Sequence, residues 1–129
     1  MLDKKPKFEL GERCFQFSLK VVTQVNYYKE IKVPYSLIDQ FVRAATSIGA
    51  NVIEGQGSSS DKEFLRYYRI ALKSANESKY WLRLIKEGFL NNNENIDSLT
   101  AEVYELSNII ASIIIKINKR INEEEKIKS

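Results

Sequence analysis

The sequence has no histidine, one cysteine, two prolines and five glycines in 129 residues. Each scarcity removes a class of protein. Without histidine there is no Ser-His-Asp or Cys-His nucleophile system and no imidazole metal ligand. A di-iron bundle, which takes a Glu-x-x-His pair from each of two helices, is excluded for the same reason. Cys14 has no partner for a disulfide within the chain, so a reducing compartment and a cytoplasmic location are expected. It stands among apolar residues and reads as a small buried hydrophobe rather than a reactive thiol. So few prolines and glycines do not suit a β-rich or disordered chain. Long hydrophobic runs are also missing. The N-terminal MLDKKPKFELGER has no apolar stretch of signal-peptide type, and Ile109–Ile117 is interrupted by Ser112 and Lys116. No membrane span is expected. GQGSSSDK lacks the spacing of a Walker phosphate loop and joins two helical segments instead of following a strand.

What is present is helical periodicity, over a length that suits one domain, residues 1–129. Four segments carry apolar residues at steps of three and four. The first, about 8–31, has Cys14, Phe17, Val21, Val25 and Tyr28, with Phe15 and Val22 widening the stripe, and is broken by Lys32-Val33-Pro34. The second, about 35–55, has Ile38, Phe41, Ala45, Ile48 and Val52. Gly49 in it suggests close backbone approach, and Gly55 a helix end. The third, about 60–88, opens on Ser60 and Glu63 in capping-box spacing, with Asp61 in the first turn. It continues through Phe64, Tyr68, Ala71, Ala75, Ser78, Leu82 and Ile85 to Gly88, read as its C-terminal cap. After the Asn91-Asn92-Asn93 connector, the fourth segment, about 96–121, is capped by Asn95 or Asp97. It carries Leu99, Val103, Leu106, Ile110, Ile113 and Ile117, and residues 122–129 are expected to fray. Short connections and seams of this kind specify an all-α, antiparallel up-down-up-down four-helix bundle. Two long hairpins exchanged between protomers would show the same pattern.

The apolar surface exceeds what one bundle buries. Ile109, Ile114 and Ile115 flank the fourth seam, and Tyr67, Ile70, Trp81 and Leu84 flank the third. A bundle helix needs roughly three apolar positions in seven. A wide core face would use such residues; self-association uses them better, as a dimer or a closed ring.

The net charge is +3, which permits a polyanionic partner without requiring one. Its placement is more informative. Lys62, Arg66, Arg69 and Lys73 run at four-three-four spacing along the third segment and continue through Asn76, Tyr80 and Arg83. This line lies two residues, or about 200°, from the core seam and points to solvent. Cations with a tyrosine among them suit phosphate contact and base stacking; a solvated face that happens to be basic has the same pattern. Arg13, Lys20, the Lys4-Lys5-Lys7 arm, Lys116, Lys119 and Arg120 are candidates to extend the surface.

Asn51, Glu54, Ser58 and Glu63 cluster at the turn between segments two and three. Glu54 and Glu63 form a carboxylate pair on paper, but tying down the turn and satisfying free helix-end donors is the better reading. Glu77 falls beside the core stripe and calls for a partner, and antiparallel packing nominates Arg43.

These residues also carry a family resemblance. Arg43-Ala44, Ser47-Ile48, Asn51, Glu54-Gly55, Glu63-Phe64, Ser74 and Glu77 resemble, in order and spacing, the signature of the 23S ribosomal RNA intervening-sequence proteins, over roughly Phe8 to Ile117. The resemblance implies a small four-helix bundle assembled as a ring-shaped homopentamer. A related branch is the accessory variability determinant of diversity-generating retroelements, which binds nucleic acid and a reverse transcriptase and has no catalytic centre. Members of that branch tend to be strongly basic, and this chain departs from them; five copies would sum its charge to about +15 (five times +3). The expectation is therefore a non-enzymatic, oligomeric accessory or scaffold protein without cofactor, metal or catalytic residues. Its partners would be RNA or an RNA–DNA hybrid and a reverse transcriptase. Lys62, Arg66, Arg69, Lys73 and Arg83 would contact phosphate, and Tyr80 would stack. The competing class is a scaffold that binds only protein chains through its apolar flank.

Overall fold

A computed structural model of the chain describes residues 5–90 and 94–128, with side chains for 10–90 and 95–128. Four helices follow one another: α1 (Lys5–Glu30), α2 (Tyr35–Gln56), α3 (Asp61–Phe89) and α4 (Glu94–Lys128). Neighbours in sequence pack together and α4 closes on α1, while α1 and α3 lie across the bundle from one another. The directions alternate. Gly49 of α2 backs onto Cys14 and Gly11 onto Ile53. Ser74 of α3 bonds Ser47 of α2, and Lys86–Asp97 and Asp61–Arg120 join opposite ends of α3 and α4. This is the expected up-down-up-down bundle, formed within one chain.

The seams predicted from spacing form the core. Cys14, Phe17, Val21 and Tyr28 meet Phe41, Ala45, Ile48, Val52, Tyr68, Ala71, Ala75, Leu82, Ile85, Val103, Leu106 and Ile110, all buried. Val25, Ile113 and Ile117 are partly buried against that core. Ser78, the polar member of the α3 seam, is buried and satisfied, donating to the Ser74 carbonyl at 2.8 Å.

The helix ends show how local chemistry sets the topology. After α1 the Val33 N–H donates to Tyr28 O at 2.9 Å and the Lys32 N–H to Lys29 O at 3.0 Å. These are the two bonds of a Schellman motif, with Lys32 in the left-handed position at φ 67°. Pro34 precedes the first residue of α2, where no N–H is needed. α2 runs through Gly55 and ends at Gln56, with Gly57 as the cap. Gly55 is therefore not the helix end; its lack of a side chain admits the Tyr68 ring.

At the start of α3 the Glu63 N–H donates to Ser60 Oγ at 3.1 Å. The Glu63 carboxylate accepts from Ser59 Oγ at 3.3 Å, so half of the expected capping box forms. Gly88 lies inside α3, and Leu90 is the cap, its N–H donating to Lys86 O at 3.0 Å. Gly88 is not at positive φ, so it does not cap as the sequence suggested.

α4 begins at Glu94, which places Asn95 and Asp97 inside it. Asp97 instead holds Lys86 at 2.6 Å. The Asn91-Asn92-Asn93 connector lies outside the described residues. α4 runs past the expected end near 121 and continues as helix to Lys128. Glu and Lys are good helix formers, and Arg120 holds both Asp61 oxygens, at 3.1 and 2.7 Å. By length and composition alone α4 is apolar enough to cross a membrane. Its stripe Leu99, Val103, Leu106 and Ile110 is buried against the rest of the bundle.

Candidate nucleic-acid interface

The α3 residues opposite the core seam, Lys62, Arg66, Arg69, Lys73, Asn76, Tyr80 and Arg83, are all exposed, as their spacing required. They differ in what they touch. Lys62 stands 3.9 Å from Glu125. Arg83 is held by Glu87 at 2.6 Å, a contact that raises its pKa further. Arg66 lies over the Tyr67 ring, 4.4 Å from its centroid, which fixes the guanidinium without neutralising it. Among the described residues, Arg66, Arg69 and Lys73 have no ion pair with an acid. The open positive run is therefore these three, bounded at both ends by cations that already have acidic neighbours.

Lys79 is on the α4 side of the stripe. Its amine sits 4.4 Å from the Tyr104 ring centroid and donates to Asn76 at 3.0 Å. Burial lowers its pKa below the ordinary lysine value.

Several proposed extensions do not join this face. Arg13 reaches across to α4, bonding both Glu102 oxygens at 3.1 and 2.7 Å, with Glu105 at 3.2 Å. Lys20 is on α1, across the bundle from α3. Arg120 is occupied by Asp61. Lys116 and Lys119 are exposed on α4, and the side chains of the Lys4-Lys5-Lys7 arm lie outside the described residues.

At the α2–α3 turn the expected tie-down is met in part: Ser58 and Glu63 bond there, while the Asn51 bonds run back along α2. Ser58 Oγ donates to Gly55 O at 2.6 Å, and Asn51 Nδ2 donates to Ser47 O at 2.8 Å and Ser47 Oγ at 3.0 Å. Glu54 is exposed. The Arg43–Glu77 pair does not form. Arg43 turns along its own helix to Asp39 at 3.0 Å, and Glu77 is exposed. Asp39 is one turn away on the same surface, so the local pair needs no burial of charge.

The sequence reading missed a second surface. Phe15 (58% exposed), Leu19, Val22 and Ile53 (55%) form an apolar face along α1 and α2. It flanks a groove of about 760 Å³ lined by Gly11, Phe15, Thr46, Ala50 and Ile53. The signal was available, since Phe15, Leu19 and Val22 repeat at four and three, beside the core stripe rather than within it.

The model of the family described as 23S rRNA-intervening sequence protein matches residues 7–112. The chain belongs to that family. A solved relative of this 23S rRNA-intervening sequence protein is a Bacteroides thetaiotaomicron protein, of unknown function, from the S23 ribosomal protein family. It superposes with a TM-score of 0.76 at 28% identity, over 81% of this chain and 97% of the other. No match was found among curated proteins.

Proposed function

We propose that this intervening-sequence protein is a non-enzymatic, oligomeric accessory protein that binds RNA or an RNA–DNA hybrid through the outer face of α3. The observation carrying this reading is the open run of Arg66, Arg69 and Lys73, which have no ion pair with an acid among the described residues. Each phosphate neutralised by such a group releases condensed counterions, so repeating the run in several copies multiplies a modest net charge into a binding surface. Self-association is supported by the Phe15–Leu19–Val22–Ile53 face, which a lone protomer leaves in water. A ring of five copies and a reverse transcriptase partner are the assembly and context that the family resemblance suggests. Fluorescence anisotropy of labelled structured RNA, with light scattering for mass, tests the reading. Tight binding by a multimer that weakens steeply with salt supports it. No binding at low salt by a folded multimer overturns it, and leaves a scaffold that docks proteins through its apolar face.

A further inference from the structure

The three open cations account for charge but not for Tyr80. This residue is 62% exposed on the same line of α3. Trp81 meets it nearly at right angles, centroids 5.2 Å apart and planes at 77°, and so backs one side of the phenol ring. Beside it lies a cleft of about 260 Å³ lined by Tyr80, Arg83, Leu84 and Glu87. The cleft has an aromatic wall, an aliphatic floor, and a guanidinium–carboxylate pair locked at 2.6 Å. That pair presents a hydrogen-bond donor and an acceptor side by side, as the edge of a nucleobase does.

We infer that the α3 stripe takes a single strand, with one unstacked base seated on Tyr80. The inference rests on the nucleic-acid reading above. Arg66 to Lys73 spans about 10 Å of helix, and Tyr80 stands about 10 Å beyond Lys73 on the same straight line. A strand whose phosphates lie on the cations therefore reaches the ring with its next nucleotides. Inside a duplex each base has neighbours about 3.4 Å away on both faces, leaving no face for a side chain. An unpaired base has one, and stacking on it tolerates any sequence.

Anisotropy with a labelled mixed-sequence oligonucleotide, and with the same oligonucleotide annealed to its complement, tests this at a single low salt concentration. The single strand should bind more tightly than the duplex. Tyr80→Ala should weaken single-strand binding by about tenfold, Tyr80→Phe should retain it, and neither should change duplex binding. Duplex binding as tight as single-strand binding, with no effect of Tyr80→Ala, overturns the inference and leaves phosphate contact standing. Failure of both nucleic acids to bind overturns both readings.

Discussion

A Cβ placed on Gly55 of α2 would lie 2.7 Å from Cδ1 of Tyr68 and 2.8 Å from its Cε1. The ring is buried and stacked on Phe64, centroids 4.0 Å apart, so it cannot swing away freely. Gly55→Ala should gain about 1 kcal/mol of helix propensity and lose about 1–3 kcal/mol to overpacking. The expected result is a lower melting temperature. Gly88, also helical, has nothing within 4 Å of its Cβ position, so Gly88→Ala should raise it. Thermal unfolding of the two variants checks both signs.

Lys32 occupies a left-handed position at φ 67°, which costs an L-residue roughly 1–2 kcal/mol and glycine almost nothing. Lys32→Gly should therefore stabilise the bundle by up to about 1 kcal/mol, after the extra freedom of glycine in the unfolded chain is subtracted. Urea denaturation should show a higher midpoint with an unchanged slope; a lower midpoint would contradict the Schellman assignment.

Burial pushes the Cys14 thiol from its ordinary 9.0 up to about 12, and the Tyr28 phenol from 10.0 to about 12. Both groups hold their protons more firmly folded than unfolded. Their contribution is thus fully present below the unfolded values and lost as pH rises toward the folded ones. Unfolding free energy should begin to fall near pH 9 and steepen above 10. In Cys14→Ala the onset should move toward 10. Thiol reagents should label Cys14 only on unfolding.

Phe15 and Ile53 are both more than half exposed, so replacing each with Glu leaves the core untouched. In the double variant Phe15→Glu/Ile53→Glu, light scattering should report a smaller mass with unchanged helical content by circular dichroism. An unchanged mass would remove this face from the assembly.

Spacing alone located the core because the buried residues of all four helices recur at three and four, and only one face of each helix can satisfy that period. It located the exposed line from Lys62 to Arg83 for the same reason. It could not show that Lys62 and Arg120 would meet acids, since Glu125 and Asp61 lie far from them in sequence. Arg43 pairs with Asp39 instead of Glu77 because Asp39 stands four residues before it on the same exposed helix face, a spacing the sequence does show. The α1–α2 face was hidden in a widened stripe. A period reports that Phe15 and Val22 are apolar, not that no neighbouring helix covers them.

The proposed function stands or falls on phosphate binding by Arg66, Arg69 and Lys73. The most direct measurement compares the wild-type chain with Arg66→Glu/Arg69→Glu/Lys73→Glu by RNA anisotropy from about 50 to 200 mM salt, oligomer mass held under watch. The triple variant should keep its mass and helicity and lose binding. Each single neutralisation should lower the salt slope by about one per protomer engaged. Binding by the triple variant with wild-type affinity and slope would contradict the proposed function.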